Sequence, residues 1–224
     1  MEKEILQFRQ VTGKRRKFRL QNVDFTMKSG YIYGLTGKNG AGKTTLMKMI
    51  LHERSRYNGA IYVDGICVKE NYAAANQKIG YVSEDNIFFE KCTALQNAEA
   101  LGVFYDDFQI ERFCGQMRAF DVSVSKQYGA MSRGEKLKCQ LAFAIAHQPV
   151  LYLLDEVTAG MDSVFRIQFF DCMRRLVEDE SCGVLLTSHM TADLERNTDY
   201  SAVMENGHFS GWTESIDGIS SHLV

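Results

Sequence analysis

Residues 37–45 read Gly37-Lys38-Asn39-Gly40-Ala41-Gly42-Lys43-Thr44-Thr45, a match to the loop pattern G-x-x-x-x-G-K-[ST]. Gly37, Gly40 and Gly42 let the backbone turn tightly and present its N–H groups to phosphate oxygens. A helix opening near Thr44 aims its positive dipole end at the same point. The spacing sends Lys43 to the β- and γ-phosphates and puts the Thr44 hydroxyl where it can ligate Mg²⁺. Before the loop, Tyr31-Ile32-Tyr33-Gly34-Leu35 reads as a buried strand; after it, residues 45–51 read as a helix. This strand–loop–helix setting is what the pattern requires, and it argues against a mere glycine-rich surface turn. The expected nucleoside triphosphate contacts are Gly37, Asn39, Gly40, Ala41, Gly42, Lys43, Thr44 and Thr45.

Outward from this loop, residues 5–8, 20–27 and 60–63 read as short strands separated by turn residues, an antiparallel β flank near the N-terminus. Residues 79–82 form another buried strand, and residues from about 86 to 130 carry a helical pattern that reads as a separate lobe. A helix over 133–146, a strand over 150–154, a helix over 164–178 and a strand over 184–187 follow. Strands alternating with helices imply an α/β fold around a parallel sheet. The expected organisation is one unit, 1–224, with its core in about 1–85 and 131–224.

Composition excludes several classes. The 224 residues are 45% hydrophobic, ample for a large core, so bulk disorder is excluded. A net charge of -2 and a pI near 6.2 provide no global attraction to nucleic acid or anionic lipid, and no nucleic acid partner is expected. The basic run Lys14-Arg15-Arg16-Lys17-Phe18-Arg19 lies between two strands and reads as a solvated hairpin turn. The six cysteines have no C-x-x-C spacing and no matching histidine pairs, so neither zinc nor a disulfide framework is suggested; they read as buried reduced thiols. The charged start Met1-Glu2-Lys3-Glu4 lacks a signal peptide's apolar stretch, and a cytoplasmic location is expected. The most apolar region, residues 141–154, is interrupted by His147, Gln148 and Pro149 and is too short to span a bilayer.

Two further constellations carry chemistry. Residues 150–154 form an apolar strand delivering Asp155 and Glu156 at its carboxyl end, where open parallel sheets place their ligands. Asp155 is expected to hold Mg²⁺ opposite Thr44, and Glu156, pointing elsewhere, to polarise the attacking water. In Met131-Ser132-Arg133-Gly134-Glu135, Ser132 and Glu135 make a capping box for the helix that follows. Gly134 costs helix stability, and Arg133, Lys136 and Lys138 crowd positive charge at a positive dipole end, a terminus suited to receiving an anion.

The order of the loop, residues 131–135, Asp155-Glu156 and His189 resembles the nucleotide-binding subunit of ATP-binding-cassette transporters, over essentially the whole chain. That resemblance implies a P-loop NTPase with a mixed sheet and an inserted helical lobe, hydrolysing ATP with Mg²⁺. It also implies a homodimer or heterodimer in which Ser132, Gly134 and Glu135 contact the ATP held by the other subunit. Residues 158–162, including Asp162, resemble the loop crossing that interface, and His189 resembles the histidine contacting the γ-phosphate. Lys43, Glu156 and His189 are then the catalytic set. The family's signature reads Leu-Ser-Gly-Gly-Gln, from which Arg133 and Glu135 depart, and Glu84 stands where a metal-linking glutamine is usual. Val157 replaces a common proline. The adenine-stacking aromatic has Phe18 as its nearest candidate, which reads equally well as a core strand residue. The wording of residues 30–35 is most similar to bacterial exporter ATPases, which act through a separate multi-spanning membrane subunit, with residues 86–89 in the docking groove or Phe88 and Phe89 packed inside the lobe. The alternative is a soluble ATPase of the same superfamily acting on ribosomes, DNA or an assembly machine.

Overall fold

Apolar Leu6, Phe8 and Val11 belong to one long strand, β1 (Glu4–Arg15), with a break in register between Phe8 and Val11, and it pairs antiparallel with β2 (Phe18–Lys28). In this computed structural model, which describes residues 3–15, 18–52, 56–83, 88–159, 161–189 and 191–215, Arg15 of β1 pairs with Phe18 of β2, and Arg16 and Lys17 of the basic run lie outside the described residues. β1 also pairs antiparallel with β4 (Tyr57–Val63), and β5 (Ile66–Cys67) extends this to a sheet ordered β2-β1-β4-β5.

The second sheet has the order β10 (His208–Phe209), β9 (Tyr200–Glu205), β3 (Ile32–Thr36), β8 (Gly183–Ser188), β7 (Leu151–Asp155), β6 (Ile79–Ser83), with β11 (Thr213–Glu214) beside β9. β3, β6, β7, β8 and β9 run parallel, whereas β10 and β11 are antiparallel to β9, so the sheet is mixed. β3, β7 and β8 are buried along their whole lengths, which is why each reads as an unbroken apolar run rather than an alternating one.

Helices cover both faces of this sheet. α1 (Lys43–Ile50) lies between the two sheets, where Leu46 and Met47 join Phe8, Phe25, Leu153 and Leu185 in one core. On the opposite face α5 (Arg133–Ala146) and α6 (Ser163–Val177) bury Leu141, Phe169 and Met173 against Leu154 and Leu186. α3 (Ala94–Gly102) and α4 (Ile110–Ala119) build a third cluster on α5, with Phe113, Met117, Tyr128 and Phe143 at its centre. α5 therefore touches both the sheet and the helical elements, and from Cys139 to Ala146 all of it is buried. α2 (Tyr72–Gln77) and α7 (Thr191–Asn197) complete the chain.

Two expectations are modified. All six cysteines are free, but only Cys139 and Cys182 are buried; the other four are half-buried. Phe88 and Phe89 part company: Phe88 is 4% exposed and packs on Tyr128 and Phe143, whereas Phe89 is 55% exposed. Phe88 thus belongs to the lobe's interior and not to a docking groove, and residues 86 and 87 lie outside the described residues.

Candidate nucleotide-binding site

The parallel register brings four strand ends level, because Thr36 of β3 pairs with Ser188 of β8, and Asp155 of β7 pairs with Thr187 of β8 and Ser83 of β6. The segments leaving β3, β7 and β8 enter the same space.

From β3 comes the loop. Gly37, Gly40 and Gly42 have φ of 153°, 83° and 120°, values that a side chain rarely tolerates. A Cβ on Gly37 would stand 2.3 Å from the Met204 carbonyl oxygen, so the loop is pressed against β9. Gly207 clamps it from that side, donating its N–H to the Ala41 carbonyl at 3.0 Å. Lys38, Asn39 and Gly40 are exposed, Thr45 is half-buried, and Gly42 caps α1 with no side chain and no acidic residue in the first turn. Those first N–H groups are free of the side-chain partners that usually cap a helix. The loop, His189 and residues 203–206 enclose a cavity of about 790 Å³.

Lys43 is 4% exposed, and its ammonium donates to the Gly37 carbonyl and pairs with Glu156 at 2.9 Å. Asp155 is 6% exposed; its carboxylate accepts a 2.6 Å hydrogen bond from the Thr187 hydroxyl and another from Thr44. Burial pushes the Asp155 carboxyl above the usual range despite those two donors. The next residue turns sharply, for Glu156 has φ 56°, and its N–H donates to Thr187 Oγ1 at 3.0 Å. One hydroxyl therefore holds the Asp155 carboxylate and the Glu156 main chain, and the two side chains diverge, Asp155 toward Thr44 and Glu156 toward Lys43. His189 Nδ1 lies 2.9 Å from Glu156 Oε2. Burial raises the Glu156 pKa, but the contacts from His189 and Lys43 outweigh it and hold the carboxyl below its ordinary value.

The residues expected from the sequence are thus divided. Lys43, Thr44, Asp155, Glu156 and His189 converge. Ser132 and Glu135 form the capping box, the Ser132 hydroxyl accepting from Glu135 N–H at 3.2 Å and the Glu135 carboxylate from Ser132 N–H at 2.8 Å. Glu135 is also held by Lys126, whose hydrogen bond keeps its carboxyl below the usual range. Lys136 sits over the Tyr128 ring and Lys138 donates to the Phe120 carbonyl, so both lysines have partners within the chain. Arg133 and Gly134 line a different groove, of about 290 Å³. Asp162 is the N-cap of α6, accepting from Val164 and Phe165 N–H groups. Phe18 opens β2; its side chain, and all of Glu84 and Gly160, lie outside the described residues. Sequence reading missed Thr187, hidden inside an apolar strand, and the Met204–Gly207 wall, although Asn206-Gly207 is a hairpin signal that could have found it.

This strand–loop–helix with its buried lysine and strand-end carboxylates is the arrangement of the P-loop NTPase fold. The family model described as ABC transporter matches residues 20–159, more than half of the chain, and the protein belongs to that family. Among its relatives are the ABC transporter ATP-binding protein YtrB of Bacillus subtilis (strain 168), 33% identical over 79% of this chain and 60% of that protein. Another is the bacitracin transport ATP-binding protein BcrA of Enterococcus faecalis, 29% identical over 84% of this chain and 62% of that one. The chain spans less than two thirds of the length of these two relatives. A solved structure of an ATP binding subunit of an ABC transporter superposes with a TM-score of 0.86 at 24% identity, covering 97% of this chain and 92% of that one, which shows the shared fold.

Proposed function

We propose that this chain binds Mg-ATP and hydrolyses it as the ATPase subunit of a transporter whose membrane-spanning part is a separate protein. The observation that carries the reading is the Thr187-braced turn, which sets Glu156 beside Lys43 and Asp155 beside Thr44. The loop N–H groups and Lys43 fit the phosphates: the cavity is open at Gly40, where a Cβ would meet nothing within 4 Å. One carboxylate and one hydroxyl fit Mg²⁺, which keeps several waters and needs few protein ligands. Bound there by Thr44 and Asp155, the ion supplies charge neutralisation for the phosphates. Lys43 exchanges its Glu156 partner for phosphate oxygens, and Glu156, held ionised at neutral pH, takes the proton of the attacking water. His189, in contact with Glu156, orients that carboxylate.

Ser132, Gly134 and Glu135 do not share this cavity, so we assign them to the nucleotide of a second copy or a related subunit. Export as the direction, as in the name of the Nod factor export relative of Rhizobium meliloti (strain 1021), and a position on the cytoplasmic face through the membrane subunit complete the proposal. Among the described residues no helix is long and apolar enough to cross a membrane. Light scattering of Glu156→Gln with and without ATP tests the assembly: a dimer formed only with ATP is expected, and an unchanged mass contradicts it. Native purification should bring a multi-spanning membrane protein along; ribosomes or DNA in its place would favour the soluble-machine alternative.

A further inference from the structure

An amide sits where the fold has no packing use for one. α5 is buried and apolar from Cys139 to Ala146 except at Gln140, which is 5% exposed. A buried polar side chain is costly unless its hydrogen bonds are made. Both ends of Gln140 are engaged, and they reach different parts of the fold. Its Oε1 accepts the main-chain N–H of Ser83 at 3.1 Å, and its Nε2 donates to the Tyr128 hydroxyl at 3.1 Å. The orientation of the amide is fixed by chemistry, since a backbone N–H can only donate.

Ser83 ends the edge strand β6 and pairs in register with Asp155, so its position bears on the carboxylates at the end of β7. Tyr128 is fully buried, packs against Phe88 with tilted rings and accepts the Met131 N–H on its carbonyl, one residue before the Ser132 cap. The groove lined by Ser83, Gln140, Arg133, Gly134 and Val157 is where these two sides meet. A shift of either side would stretch one of the two 3.1 Å hydrogen bonds that join them through this one side chain.

We propose that Gln140 is a positioning residue that fixes the register between the Ser132–Glu135 segment and the sheet edge beside Asp155. This rests on the ATPase reading above. Gln140 touches no reacting atom; it acts through Ser83 and Tyr128. Removing it leaves the phosphate loop whole, because Lys43 and residues 37–42 lie on other elements. The loss should therefore fall on turnover and not on nucleotide affinity.

The test compares the parent chain with Gln140→Leu, Gln140→Glu and Tyr128→Phe in three measurements: amide hydrogen exchange at Ser83, ADP affinity, and kcat with KM for Mg-ATP. Gln140→Leu should lose protection at Ser83 and lower kcat by about tenfold to a hundredfold, the scale of a sub-ångström to ångström misplacement. Its ADP affinity should stay within about twofold. Gln140→Glu, which can accept from Ser83 N–H and from the Tyr128 hydroxyl, should restore both properties, and Tyr128→Phe should fall between. An unchanged kcat in Gln140→Leu overturns the proposal. So does a parallel loss of ADP binding, or a Gln140→Glu that fails to recover, either of which makes Gln140 an ordinary structural brace. A parent chain that binds ADP but turns over no ATP removes the ATPase reading itself, and the positioning role falls with it.

Discussion

Gly37 and Glu156 show how much depends on single backbone conformations. Gly37 has a carbonyl oxygen where a Cβ would go, 2.3 Å away, and that atom belongs to the β9 main chain, which cannot yield as a side chain can. Gly37→Ala should cost about 1–3 kcal/mol in overpacking and deform the loop. Gly40→Ala meets open space and suffers only its left-handed φ of 83°, about 1 kcal/mol. Thermal denaturation with ADP titration separates the two: Gly37→Ala should lose more stability and more affinity. Equal effects would show that the contact with β9 is not what shapes the loop. Glu156 pays for its φ of 56° locally through the Thr187 hydroxyl. The sequence showed that two adjacent carboxylates diverge, since neighbours on a strand end must. It did not show that a threonine 31 residues later holds them apart, because a hydroxyl within an apolar strand leaves no pattern.

At the scale of elements, legibility followed periodicity. α5 was readable to its ends because Ser132 and Glu135 are a capping box, and the structure makes both of its bonds. Ser132→Ala should cost about 1 kcal/mol, seen as a lowered midpoint in urea denaturation. No change would mean that burial of α5 alone sets its start. β3, β7 and β8 were readable as apolar runs, and the N-terminal flank by alternation, though β1 and β2 are longer than expected because bulges interrupt their alternation. β9, β10, β11 and α7 were not read. In β9 Tyr200 and Ser201 are half-buried before a strict inside–outside pattern begins, so the window is too short to distinguish strand from loop. α2 has six residues and one buried side chain, too little for a helical face. Gln140 was legible only as a polar residue in an apolar helix; its partners come from 57 and 12 residues away.

The whole molecule joins two sheets through α1 and attaches α3 and α4 through α5, and its pH response should report that junction. His147 closes α5, is 3% exposed and stacks on Tyr105 with ring centroids 4.1 Å apart. Burial drives its pKa down to about 4, from 6.5. The unfolded chain then binds a proton that the folded chain refuses, so this group's stability is full above 6.5 and is lost as pH falls toward 4. The loss is about 3 kcal/mol for this site. His147→Phe keeps the stack and removes the proton, so its urea stability should fall less steeply than the parent's across that window; parallel curves would refute the assignment. The central claim, that Glu156 is the base of a phosphate-loop ATPase, is met most directly by measuring phosphate release from Mg-ATP alongside equilibrium ATP binding in the parent chain, Lys43→Ala and Glu156→Gln. Binding retained and turnover abolished in Glu156→Gln, with binding itself weakened in Lys43→Ala, is the predicted result; turnover by Glu156→Gln at the parent rate would contradict it.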